Sequence, residues 1–194
     1  MNSALFYLSS VRHTLSTAAL TKLYYALIHP HILYCLTVYS FTSQKNLSLI
    51  RNKQKQCVRI INKCKYNAHT EPLFFKSQIL PLDDLILQQK LILMHSCAHN
   101  YSPVNFPDFS LNRETNTHRF NLRNYNDFYV PRTSSSFIQK MPLVDFPSSW
   151  NALDQSFKDI SSKGAFKKQI KLSLLDKYAT FRCSNLVCFS CINI

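Results

Sequence analysis

QKNLSLIRNKQKQCVRIINKC, residues 44–64, carries apolar side chains at helical spacing: Leu47, Ile50, Cys57, Val58 and Ile61 share one stripe of a 3.6-residue period. Arg51, Lys55, Arg59 and Lys63 step along an adjacent face at intervals of four. No acid interrupts them. Like charges at that spacing are mildly destabilising, and a structural helix normally interleaves Glu or Asp to form pairs. An unrelieved row therefore points to an external anion, the alternative being a basic face that is only solvated. The stretch predicts an amphipathic helix over about 44–64, and its neighbours extend the same pattern.

Toward the N-terminus, residues 4–12 predict a short helix with Leu5, Leu8 and Val11 inward, then a break at Thr14-Leu15. Ser16 or Thr17 suits the N-cap of a following helix in which Leu20, Leu23, Tyr24, Leu27 and Ile28 recur at helical period. Pro30 is expected to kink or split it. Residues 23–41, LYYALIHPHILYCLTVYSF, hold no Lys, Arg, Asp or Glu, which invites a membrane reading. His29, Pro30 and His31 at the centre argue against a span, since polar rings and a broken backbone bond are costly in lipid. MNSALFYLSSVRH lacks a basic region before its apolar part and a small-residue cleavage site, so the expectation is a cytoplasmic or nuclear protein that is not secreted.

Toward the C-terminus, Thr70-Glu71-Pro72 reads as a helix start, with Pro accepted in the first turn. Pro81 marks a break, after which residues 82 to about 100 predict a helix with Leu82, Leu85, Gln89, Ile92, Leu93 and Cys97 inward. Asp83 and Asp84 complement its dipole. From 101 to 149 Pro, Asn, Ser, Thr and aromatics follow without sustained period, predicting a long irregular connector with short strands at Phe128-Tyr129-Val130 or Phe137-Ile138 as options. A helical segment over 150–178 starts near Trp150, pauses at Ser161-Ser162, and places Phe166, Ile170, Leu174 and Tyr178 on one side with Lys163, Lys167 and Lys171 on another. A Cys-containing tail, 179–194, follows. The fold class is thus mainly α: a helical domain over 1–100, the connector, the C-terminal helical segment and the tail.

At 194 residues and 46% hydrophobic the chain can bury a real core. Its formal net charge of +13, from 23 Lys+Arg against 10 Asp+Glu, favours a polyanionic partner through counterion release, with nucleic acid first. A solubility device or an anionic membrane footprint would use the same charge. The single glycine, Gly164, excludes the glycine-rich phosphate cradles of Rossmann and P-loop proteins. No cofactor is expected.

The seven cysteines should stay reduced without a secretory signal. Cys35, Cys57, Cys64 and Cys97 fall in helical patterns as small apolar fillers. Cys183, Cys188 and Cys191 are spaced to offer three thiolates to zinc, but no fourth ligand completes a tetrahedron, and free thiols are the plainer reading. His95 and His99 have the spacing of a zinc metalloprotease helix, yet Ser96 stands where the general-base Glu belongs. The expectation there is one solvent-facing ring and one packed beside Cys97. No Ser-His-Asp or Cys-His arrangement is legible.

Several segments, in order, carry a resemblance. Leu23-Tyr24…Leu27-Ile28…Pro30…Ile32…Tyr34 fits the pattern Leu-Tyr-x-x-Leu-Ile-x-Pro-x-Ile/Leu-x-Tyr, and Arg59-Ile60-Ile61, Thr70-Glu71-Pro72-Leu73 and Leu80 to Asp84 follow. His118, Leu122-Arg123, Val130-Pro131-Arg132, Trp150-Asn151-Ala152-Leu153 and Phe166-Lys167-Lys168 through Tyr178 complete the series. Collinear over about 175 residues, they resemble the C-terminal region of jockey-type non-LTR retrotransposon reverse transcriptases, RNA-directed DNA polymerases, although Asp154 stands where the family has Pro and Asn121 precedes Leu122 where Thr-Arg is common. The resemblance implies that the first half corresponds to the thumb that grips template and primer, and the second half to the region beyond it. A polymerase palm needs a carboxylate cluster for two metal ions. The family's aromatic-x-Asp-Asp turn does not occur, Asp83-Asp84 sits in a helix pattern, and the expectation is a palm-less fragment that is not an enzyme by itself. Its expected nucleic-acid contacts are Arg51, Lys55, Arg59, Lys63, Lys167 and Lys171, with no small-molecule substrate and no membrane. The other class of reading is a helical protein–protein interaction fragment, or a remnant without a specific ligand.

Overall fold

The computed structural model describes residues 2–99, 101, 109 and 127–179, and these are mainly α-helical with no strand among them. The elements are α1 (Asn2–Ser10), α2 (Thr17–Leu27), α3 (His29–Leu33), α4 (Leu36–Tyr39), α5 (Gln44–Ile61), α6 (Glu71–Ser77), α7 (Leu82–Ala98), a 3₁₀ turn (Ile138–Lys140), α8 (Pro142–Asn151), α9 (Gln155–Lys158) and α10 (Lys163–Ala179). The described residues fall into two compact units. One comprises those of Met1–Leu85 and Lys171–Ile194, the other those of Ile86–Ile170. The division runs inside α7 and inside α10.

In the first unit α5 packs against α1, α2 and α6. Leu47, Cys57, Val58 and Ile61 of α5 bury the predicted stripe, while Ile50 is half-buried. Leu20, Tyr24, Ile28, Ile32 and Leu36 join the same core. Each such fully buried large apolar side chain contributes about 1.5–3 kcal/mol relative to exposure. Burial pushes the Cys57 thiol up to about 12, so it stays protonated and packs as a small apolar group. Ser16 is the N-cap of α2, its Oγ accepting from Ala19 N at 3.3 Å. Pro30 lies in the first turn of α3, so the chain between 23 and 41 is divided into three short helices, with Cys35 at φ 52 between α3 and α4. No helix among the described residues is long and apolar enough to cross a membrane.

The second unit is built on aromatic packing. Trp150 of α8, Phe166 of α10 and Phe128 are each at most 2% exposed. The Phe128 and Trp150 rings meet edge to face at 6.1 Å, and Trp150 lies 5.9 Å from Phe166. Asn151 pins the preceding segment: its Oδ1 accepts from Phe128 N at 3.0 Å and its Nδ2 donates to Phe128 O at 2.8 Å.

The structure departs from expectation in several places. Residues 142–149, placed in the irregular connector, join Trp150 and Asn151 in α8. Two prolines hid it: Pro142 needs no N–H in the first turn, whereas buried Pro147 gives up one helix hydrogen bond where Val144, Phe146 and Trp150 are buried. Neither proposed strand forms, since Phe128 pairs with the Asn151 side chain and Ile138 begins the 3₁₀ turn. In α7 the buried residues are Leu82, Asp84, Leu85, Ile86, Gln88, Leu91, Met94, His95 and Ser96, while Gln89, Ile92, Leu93 and Cys97 are only half-buried. The runs Leu85-Ile86-Leu87 and Leu91-Ile92-Leu93-Met94 put apolar residues all round the helix, so periodicity marks no single face. Neither His95 of this helix nor His99 just after it faces solvent openly: His95 is fully buried and His99 half-buried.

Candidate nucleic-acid surface

The basic row begins on α5, but the helix stops at Ile61 and not at residue 64. Lys63 takes the left-handed conformation at φ 56, Lys63 N bonds to Ile60 O at 3.1 Å and Cys64 N to Arg59 O at 3.0 Å. This is the paired hydrogen-bond pattern of a Schellman end, made here with lysine in the position that glycine usually takes. Lys63 is therefore an exposed residue of the helix terminus and not the fourth step of a helical row.

Of the other members, Arg51 has an internal partner that its place in the sequence does not suggest. Its Nε and Nη2 donate to the two Asp83 carboxylate oxygens at 2.9 and 2.6 Å, a bidentate pair joining α5 to the first turn of α7. The hydrogen bond with Asp83 raises the Arg51 pKa above its ordinary value. Asp83 is 60% exposed at its side chain, so water screens the pair and holds its contribution to about 0–1 kcal/mol. Arg59 spends Nε on Ala68 O at 2.9 Å, closing the loop after α5. Lys55 forms no ion pair among the described residues and lines a cleft of about 130 Å³ with Arg51, Gln54, Glu71, Phe74 and Tyr178. Four separate sequence motifs meet there: the α5 row, the Thr70-Glu71-Pro72 turn, the Pro81 to Asp83 segment and the close of α10.

Two polar interactions behind this surface are not evident from the sequence pattern alone. Gln54, fully buried, donates through Nε2 to Tyr24 Oη at 3.0 Å and to Leu80 O at 2.8 Å. Its signal was present, since position 54 continues the stripe of 47, 50, 57, 58 and 61. Asp84, expected to serve the helix dipole, also accepts a hydrogen bond from Tyr178 Oη and faces Lys177 Nζ at 3.6 Å. Neither Asp83 nor Asp84 joins a group of three or more His, Cys, Asp or Glu able to hold a metal, and none exists among the described residues.

On α10, Lys167 is exposed and only its carbonyl is engaged, by Gln88 Nε2 at 3.1 Å. Lys171 is tied down: Nζ lies 3.3 Å from Tyr25 Oη and 5.7 Å from the centre of that ring. The six predicted cations are thus not equivalent. Among the described residues Lys55, Lys63 and Lys167 offer uncommitted ammonium groups, and Arg51, Arg59 and Lys171 also hold the structure together. Lys53, half-buried on α5, adds a cation outside the predicted row. The zinc candidates Cys183, Cys188 and Cys191, and the motif residues His118, Leu122 and Arg123, lie outside the described residues.

The charge of the sequence before Glu71 is one-sided, although the fold brings Glu71 and Asp83 to the cleft that Arg51 and Lys55 line. No acid precedes Glu71, whereas Arg12, Lys22, Lys45, Arg51, Lys53, Lys55, Arg59, Lys63 and Lys65 do. Such a surface can neutralise phosphates of a polyanion but carries no evident means of reading bases. No protein-family model matches the chain, and neither a curated protein nor a solved structure matches it.

Proposed function

We propose that the chain binds nucleic acid through the α5 face, as the thumb-like part of a jockey-type non-LTR retrotransposon reverse transcriptase, and that it carries out no polymerisation by itself. The observation that carries the reading is the acid-free charge before Glu71, together with Lys55 and the terminal nitrogens of Arg59, which have no partner among the described residues. The collinear motifs supply the family. Binding should tolerate sequence and weaken steeply with salt.

The test is binding of an RNA–DNA hybrid across a salt series by the parent chain and by a Lys53→Gln, Lys55→Gln, Lys63→Gln variant. These three lysines have no hydrogen-bonded partner among the described residues, so the change removes charge and leaves the internal bonding in place. Each phosphate that is no longer neutralised should flatten the log–log salt slope by roughly 0.7–0.9. Unchanged affinity and slope would sink the reading. In the same protein, primer extension on RNA with magnesium is expected to give no product.

The rival reading of a protein-interaction fragment draws on Phe6 and Tyr7 of α1, Tyr34, and Val38 of α4, each more than half exposed. Affinity that is indifferent to the lysine changes, with association of the chain itself, would favour it.

A further inference from the structure

We propose that His95 is the pin of an acid-sensitive latch that holds residues 160–170 against α7. The ring is fully buried, and four aromatic rings and a carbonyl converge on it, Tyr101 at 6.3 Å among them. Nε2 lies 2.6 Å from Ile160 O, Phe166 stacks on it at 4.3 Å, His99 lies at 4.4 Å and the edge of Trp150 at 6.2 Å. A carbonyl only accepts, so Nε2 carries the proton and Nδ1 keeps its lone pair. That Nδ1 is buried without a hydrogen-bond partner among the described residues, as is His99 Nε2.

A second proton on His95 would have to go to Nδ1, where no acceptor among the described residues receives it. The described surroundings offer no compensating charge. His99, just after α7, and Lys163 on α10 both oppose a cation there. The carboxylates on neighbouring elements are engaged elsewhere: Asp145 of α8 with Lys90, Asp127 with Lys158, and Asp159 with Gln155. Burial is the largest cause lowering the affinity of His95 for a proton.

The sign follows from linkage. Below the ordinary histidine value of 6.5 the opened state takes up a proton that the closed state refuses, so the closed state loses stability as pH falls through and below that value. Opening would free the N-terminal half of α10, with Lys163, Lys167 and Lys168, from the aromatic cluster.

Trp150 is the only tryptophan and reports directly on the cluster. Its emission should be followed in the full chain from about pH 8 to about pH 5, the range in which histidine titrates. The expected result is a red shift with a midpoint below the ordinary histidine value. His95→Gln keeps a nitrogen donor for Ile160 O but cannot titrate, and should remove the transition. His99→Gln removes an opposing neighbour, and should move the midpoint upward. A flat parent profile, a transition that survives in His95→Gln, or an unmoved midpoint in His99→Gln would each overturn the proposal. Should His95→Gln fail to fold, as judged by helicity at about pH 8, the His99→Gln midpoint decides alone.

Discussion

The Tyr178 hydroxyl, at the end of α10, donates a hydrogen bond to the carboxylate of Asp84, in the first turn of α7. Asp84 is only 8% exposed, so this bond and Lys177 are what stabilise its charge beside the dipole of α7. Burial and the neighbouring carboxylates together hold the Tyr178 pKa well above its ordinary value, because ionising the phenol would set two anions side by side.

Tyr178→Phe should therefore cost about 1.5–3 kcal/mol at neutral pH, the range for a hydrogen bond to a charged group. The phenol's contribution is complete below its ordinary value of 10.0 and is lost as pH rises from there through the raised folded value. Urea unfolding should accordingly show a steeper alkaline loss of stability in the parent than in Tyr178→Phe. Parallel alkaline profiles would contradict the role of this bond.

Gln54→Leu should destabilise the first unit by about 1–3 kcal/mol despite the better apolar match, because Leu80 O loses its buried donor. Gln54→Glu should be worse, since it puts a carboxylate against that carbonyl. Chemical denaturation of both variants ranks them.

Lys63→Gly should raise stability by about 0.5–1 kcal/mol, the left-handed strain relieved less the extra freedom that glycine gives the unfolded chain. The same change removes one cation from the proposed binding surface. Higher thermal stability with a flatter salt slope of nucleic-acid binding is the expected combination.

Asn151→Ala should release the Phe128 backbone, costing about 1–3 kcal/mol for two buried partners left open. Asn151→Asp keeps the acceptor for Phe128 N but sets a carboxylate against Phe128 O, and should not restore stability. Amide exchange at Phe128 is the direct measurement, and continued protection in Asn151→Ala would refute the role of that side chain.

Helix was legible wherever one face alternated cleanly with another. The α5 stripe, the Ser16 cap and the break at Pro30 each follow from local rules of period, capping and missing N–H, and the structure has all three. The rules failed where locality ended. In α7 apolar residues run round the whole helix, so only its neighbours choose which side is buried, and in α8 two prolines mask a helix that its own buried Phe146 and Trp150 anchor in the core.

Charge behaved likewise. The sequence by itself determined that cations dominate the chain before Glu71, because that is a matter of composition. Which cations of the chain are committed was decided by tertiary structure alone: Asp83 reaches Arg51 from 32 positions away, and Tyr25 receives Lys171 from 146 positions away. Helical periodicity reports only on neighbours within a turn or two, whereas an ion pair forms wherever packing brings its two ends within about 4 Å.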